Sequence, residues 1–153
     1  LEFILDRFST HTHMPFPPHD LHNLPELEKK IDFFVFNQTI EHLYDPDTAM
    51  KNIYKNLNDG AYVFTSVPTI NIPHMTPVHF GGLTPMGLAV LFLKNGFQIN
   101  NMGQFGSYKY IQLLFQNHSW PDHKDLVDEN GIIVNEEINC SQCWILARKI
   151  KND

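Results

Sequence analysis

Across its middle the chain switches back and forth between the two hydrophobic periods available to a backbone, and that alternation limits the folds open to it. Residues 31–36, Ile31-Asp32-Phe33-Phe34-Val35-Phe36, form a nearly unbroken run of aromatic and β-branched side chains. Such a run suits a strand buried on both faces of a parallel sheet. Asp45 then offers a helix cap, and Pro46 takes a first helical position where its missing N–H costs nothing. Met50, Ile53 and Leu57 follow at helical spacing, and Asn58-Asp59-Gly60 closes the helix. Residues 61–67 read as a second strand, stopped by Pro68.

After a long loop over residues 69–83, Thr84-Pro85 repeats the cap-and-proline start. Leu88, Leu91 and Phe92 make the apolar stripe of that helix, and Asn95-Gly96 ends it. Residues 97–102 give a third strand, 108–117 a further helix, 122–137 an acidic loop and 144–150 a last strand. Upstream, residues 1–5 are strand-like, 9–25 irregular and proline-rich, and 26–30 able to form one helical turn. Strands alternating with helices at short intervals predict βαβ units, hence an α/β fold with a mostly parallel sheet and helices on both faces. The final two strands are joined by more than a crossover helix, so an antiparallel C-terminal edge is expected. The 153 residues suffice for one domain.

Charge narrows the partners. A net charge of −6 with scattered lysines lacks the basic stripe that nucleic acid requires, so no nucleic-acid partner is expected. The longest apolar runs, such as residues 87–93, are too short to span a bilayer. With only two cysteines, a disulfide-stapled secreted domain is not expected, and the reading is cytoplasmic.

Several segments, taken in order, resemble the class I S-adenosylmethionine-dependent methyltransferases. The run from Ile31 through Asn37-Gln38-Thr39-Ile40-Glu41-His42-Leu43-Tyr44-Asp45-Pro46 resembles that family's fourth strand and the turn after it. Leu57-Asn58-Asp59-Gly60-Ala61, continuing to Pro68, resembles its Leu-x-x-Gly-Gly turn and fifth strand, with Ala61 in place of the second glycine. His79, Thr84-Pro85 and Asn95-Gly96-Phe97 resemble the approach to its sixth strand, and Cys143-Trp144-Ile145-Leu146-Ala147-Arg148-Lys149 its seventh. His19-Asp20-Leu21-His22-Asn23-Leu24-Pro25 resembles the end of its third strand. The likeness covers roughly residues 18–149. It implies a Rossmann-like sheet, S-adenosyl-L-methionine as cofactor and a small-molecule methyl acceptor.

The same resemblance implies a first strand, a Gly-x-Gly-x-Gly loop and a ribose-holding acid upstream. No glycine precedes Gly60, and the chain opens at Leu1, so the expectation is a partial domain whose N-terminal part is missing. Asp6 is the one acid that could stand for the ribose partner. A sheet shortened in this way would expose a strand edge and self-associate.

By resemblance, Asp20 with Leu21 falls at the adenine end of the cofactor; as a loop aspartate, Asp20 could equally bond its own backbone. Asn37 and Gln38 sit at the carboxyl end of a parallel strand, where open α/β sheets bind ligands. They line the cofactor's methionine end or merely cap the strand. Methyl transfer is displacement at an already activated carbon, so positioning matters more than a fixed triad, and no catalytic residue is assigned. His42, beside Glu41, and the loop residues His74, His79 and Phe80 are the substrate-side candidates.

Two other readings compete. One is a non-catalytic methyltransferase-fold module for interaction or dimerisation. The other is a metal-binding structural domain using His11, His13, His19 and His22, or Cys140 and Cys143. Neither metal set is complete in sequence, and Cys143 alternates into an apolar strand, so no metal ligand is assigned.

Overall fold

A computed structural model of the chain describes residues 8–74 and 78–150. The strand-like stretch at 1–5 and Asp6 lie outside the described residues. Among the described residues four strands, β1 (Ile31–Val35), β2 (Leu57–Pro68), β3 (Phe97–Phe105) and β4 (Gln142–Lys149), form one sheet in the order β1-β2-β4-β3. β1 and β2 pair in parallel, whereas β4 runs antiparallel to both β2 and β3. Three strands therefore share one direction, as expected. The reversed C-terminal strand sits inside the sheet, and its antiparallel pairing with β3 makes the expected antiparallel end.

Among the described residues three α-helices accompany the sheet: α1 (Pro46–Asn56), α2 (Pro85–Lys94) and α3 (Tyr108–Asn117). Each opens on a side-chain cap. Asp45 accepts from the Thr48 N–H, Thr84 from Gly87 and Ser107 from Tyr110. These caps satisfy N–H groups that no helical carbonyl can reach. Met50 and Ile53 of α1 and Leu88, Leu91 and Phe92 of α2 meet Val63, Val67, Ile145 and Ala147 in a single core.

That core occupies one face of the sheet. In β4 burial alternates strictly, with Cys143, Ile145, Ala147 and Lys149 buried and their neighbours half-buried. In β1 Phe34 is buried while Phe33 and Val35 are only partly covered, and Asp32, on the Phe34 side, is exposed at the start of the strand. The strand expected to be buried on both faces is thus enclosed on one. Across the outer face Phe8 stacks on Phe33 at 5.3 Å between ring centroids. A shallow hollow of about 510 Å³ lies there, bounded by Phe8, Phe33, Tyr62 and Leu146.

Three strand boundaries differ from the sequence reading by two residues or more: β3 runs on to Phe105, β4 begins at Gln142, and β2 starts early. β2 begins at Leu57 rather than Ala61, so helix and strand abut without a loop. Gly60 adopts φ +80°, which lets the intervening residues bulge while Ile31 still pairs with Leu57 and Phe33 with Tyr62. The buried Lys149 ammonium closes this junction by donating to the Leu57 carbonyl and to the Tyr54 carbonyl, which also accepts from the Leu57 N–H.

Residues 26–30 form no helical turn. Their backbone is claimed by α1 instead: the Leu27 N–H donates to Asn56 Oδ1 at 2.7 Å, and Asn56 Nδ2 donates to the Pro25 carbonyl at 3.1 Å. One turn earlier, Asn52 Nδ2 donates to the carbonyls of Leu21 and His22. Two asparagines four residues apart thus clamp the segment leading into β1. Asn56→Ala would orphan these buried groups and is expected to lower the unfolding free energy by about 2 kcal/mol. The urea midpoint should fall with an unchanged slope.

Candidate functional site

The chain leaves β1 through Asn37 and Gln38, both exposed at the carboxyl end of the strand. Gln38 takes a left-handed conformation (φ +50°) that turns the chain sharply. Its N–H donates to the Ser66 carbonyl at 2.9 Å and its Nε2 to Ser66 Oγ at 3.2 Å. Asn37 Oδ1 accepts from the Ser66 N–H at 3.1 Å. Both residues therefore splice the tips of β1 and β2 together, which fixes where their remaining polar atoms point. Buried between the strands, Thr65 Oγ1 donates to the Phe36 carbonyl.

Asp20 precedes a 3₁₀ turn, Leu21–Asn23. Its carboxylate accepts from the His22 N–H, the His22 Nδ1 and Asn23 Nδ2, each at 2.9 Å. Burial alone would push this carboxyl up, but the hydrogen bonds from His22 and Asn23 outweigh it and hold Asp20 below its ordinary value. His22 Nε2 in turn accepts from the Asp45 N–H, and the imidazole stacks on Tyr44 at 3.9 Å. Asp20 is thus an ionised turn cap. It also anchors an aromatic pair that continues to Phe80, 6.3 Å from Tyr44 between centroids.

The substrate-side candidates converge. A second 3₁₀ turn, Ile40–His42, follows β1, and the loop after β2 folds back onto it. The Phe80 N–H donates to the Glu41 carbonyl at 2.7 Å, and His42 Nδ1 lies 2.9 Å from the Val78 carbonyl. His74 Nε2 approaches His42 Nε2 to 3.1 Å, and His79 Nδ1 approaches His74 Nδ1 to the same distance. Trp120 packs edge-on to His74 and donates from Nε1 to Asn71 Oδ1. The segment after α3 thereby closes over the same loop.

Beneath this histidine group lies Glu41, whose side chain is 1% exposed. Its Oε2 has no hydrogen-bond partner among the described residues. Burial raises its pKa above the ordinary glutamate value. Burial, together with charge on His74 and His42, holds His79 below the ordinary histidine value, which favours a neutral ring near neutral pH.

The histidines and cysteines considered for a structural metal are not gathered. Among the described residues the one group with ligand atoms in mutual reach is Glu41, His42 and His74. Cys143 is buried in β4, its thiol donating to the Leu83 carbonyl and pushed up to about 11 by burial. It is a core side chain. Cys140 Sγ contacts Thr69 Oγ1 at 3.1 Å.

Sequence reasoning placed Glu41 and His74 near the site without giving them a joint role, and it missed Asn52 and Asn56 altogether. The available signal was the spacing: two asparagines on one face of a helix are poor helix formers and imply side-chain work.

The profile of the methyltransferase domain family matches residues 4–120. No curated protein sequence matches the chain. Among solved structures, an S-adenosylmethionine-dependent methyltransferase from Methanosarcina mazei aligns with 87% of this chain and 66% of its own at TM-score 0.55 and 14% identity. Phosphoethanolamine N-methyltransferase 2 from Haemonchus contortus, solved with S-adenosyl-L-methionine, aligns with 86% of this chain and 36% of its own (TM-score 0.54, 16% identity). The [4+2]-cyclase SpnF aligns with 87% and 54% (TM-score 0.57, 18% identity). The chain thus spans about two thirds or less of each of these proteins. At these identities the likeness is one of fold, and the cyclase shows that the fold hosts more than one reaction.

Proposed function

Because this chain belongs to the methyltransferase domain family, we propose that it binds S-adenosyl-L-methionine across the carboxyl ends of β1 and β2 and methylates a small-molecule acceptor. The observation that carries this reading is the convergence of Asn37, Gln38, His42, His79 and Phe80 at one end of the sheet, under the loop after β2. Ligands of open α/β sheets bind at that end.

The residues present suit one side of the cofactor. Asn37 and Gln38, fixed by Ser66, offer amide groups to a methionine end. Asp20 is ionised, and a carboxylate has lone pairs beyond those already bonded, so it can also accept from an exocyclic amine. Leu21 lies beside it as an apolar wall. Glycine-rich backbone of the kind the family presses against the methionine moiety is not among the described residues. The cofactor, when bound, supplies a methyl group already activated by a positive sulfonium.

What the chain adds is placement. His79, held neutral, can accept a proton at an imidazole nitrogen as the acceptor nucleophile is consumed. The exposed rings of Phe80 and Tyr44, 6.3 Å apart, offer aromatic surface for an acceptor to cover. The acceptor class stays open, since the segment from Gly103 to Asn139 names no particular chemistry.

The test is calorimetric titration with S-adenosylhomocysteine. Saturable binding is expected, weakened about tenfold or more by Asn37→Ala and by Asp20→Ala, in line with a lost charge-assisted or amide contact of about 1.5 kcal/mol. A folded chain that takes up none of it would sink the reading and leave the resemblance as ancestry.

A further inference from the structure

We propose that Glu41, His42 and His74 form a binding site for a divalent transition-metal ion, of which Zn²⁺ is the representative case. The assignment rests on the geometry of these three side chains and is independent of cofactor binding.

The argument begins with proton positions. His42 Nδ1 faces the Val78 carbonyl at 2.9 Å, and His74 Nδ1 faces the Ile72 carbonyl at 3.1 Å. A carbonyl only accepts, so each of these contacts is a hydrogen bond when the ring carries its proton on Nδ1, with His79 Nδ1, 3.1 Å from His74 Nδ1, then on the accepting side. In a neutral imidazole the other nitrogen, Nε2, then holds a bare lone pair. Those two Nε2 atoms face each other at 3.1 Å. Two lone pairs that close repel unless a cation lies between them.

A shared proton would satisfy the two rings but not the third group present. Glu41 Oε1 lies 3.9 Å from His42 Nε2, and the three ligand atoms all fall within 4.8 Å of one another. The Glu41 carboxyl is almost wholly buried, and its Oε2 accepts no hydrogen bond among the described residues. Leaving an ionised carboxylate so buried without a positive partner is costly. A metal ion answers both anomalies at once.

The dimensions agree. In a tetrahedral site with bonds of about 2.0–2.1 Å, neighbouring ligand atoms stand about 3.3 Å apart. The observed spacing needs only small side-chain adjustment to reach it. Fixing the far nitrogen of each imidazole on a backbone carbonyl is also how metal-bound histidines are oriented. Two imidazoles and one carboxylate favour zinc, iron, cobalt or nickel over calcium or magnesium, which prefer all-oxygen shells. Three protein ligands leave a coordination position open to water or to a substrate oxygen or nitrogen. His79, against the back of His74, positions that ring.

The experiment is a Zn²⁺ competition titration of the chelator-stripped protein against a chromogenic chelator, with Co²⁺ absorption as a second readout. One Zn²⁺ per chain is expected, with a tetrahedral-type Co²⁺ visible spectrum. His74→Ala should weaken binding by about 100-fold or more and Glu41→Gln by about tenfold or more, whereas His13→Ala, on the exposed upstream segment, should change nothing. Metal-free urea midpoints of wild type and His74→Ala should coincide, which separates ligand loss from misfolding. Wild type that takes up no more Zn²⁺ than His74→Ala overturns the assignment. So does a loss caused by His13→Ala, which would move the metal to the upstream histidines.

Discussion

Phe92→Ala is expected to lower the unfolding free energy by about 3–5 kcal/mol. Phe92 is fully buried on α2 and packs against Phe97 at the start of β3, with ring centroids 5.3 Å apart. Tyr54 closes on Phe97 from α1, edge-on at 5.1 Å. Truncation therefore removes transfer free energy and opens a void where α1, α2 and β3 meet. Little backbone can collapse into it, because Asn95 and Lys94 tie the end of α2 to Asp47 at the start of α1. Single domains are stable by only about 5–15 kcal/mol, so the loss would be a large share of the whole. Denaturant melts should show the midpoint fall, and a decrease below 1 kcal/mol would mean that α2 is not packed as described.

Gly82→Val is expected to lower stability and ligand binding together. A Cβ at Gly82 would stand 2.1 Å from the Pro68 carbonyl oxygen and 2.7 Å from that of Thr69. Both are backbone atoms at the end of β2, so neither can swing aside as a flexible side chain would. The Leu83 N–H bond to the Pro68 carbonyl would have to break. Relief requires the loop carrying His79 and Phe80 to lift from the strand. The expected cost is about 3 kcal/mol, with Zn²⁺ affinity reduced about tenfold or more as His74 loses its seat. Retention of wild-type stability would show that the loop does not make this close approach.

Much of the architecture is legible in the sequence because its signals are local. Asp45-Pro46 and Thr84-Pro85 announce helix starts through chemistry confined to one turn, and both caps form. The helix over 108–117 likewise follows from its own apolar spacing and the Ser107 cap. The larger misplacements, at residues 26–30 and at the start of β2, are cases of distant groups claiming local backbone. Residues 26–30 have helix-compatible side chains, yet Asn56 takes their hydrogen bonds from 29 residues away. The early start of β2 depends on pairing with Ile31 and on the Gly60 bulge, neither of which shows in a hydrophobic pattern.

The candidate site divides along the same line. Asn37 and Gln38 are found from their place at a strand end. Glu41 gives no sign in sequence of being buried, since glutamate in a turn before a helix is ordinarily exposed. Only the return of the loop after β2 encloses it. The meeting of His42 with His74 across 32 residues is a property of that return, invisible to spacing.

The position of β4 has a consequence for how the protein can be made. β3 touches the rest of the sheet through β4 alone, and β4 is the last of the four strands to leave the ribosome. Until residues 142–149 emerge, β1 with β2 and β3 by itself are separate pieces of sheet, held near each other by the helices, through α2 and the Tyr54–Phe97 contact of α1. The sheet is then closed in one late step by a strand that inserts between two waiting edges. Any stall in translation between β3 and β4 would leave those edges open for as long as the pause lasts, so the dangerous interval in the life of this chain is set by the pace of synthesis through the intervening segment rather than by its finished stability.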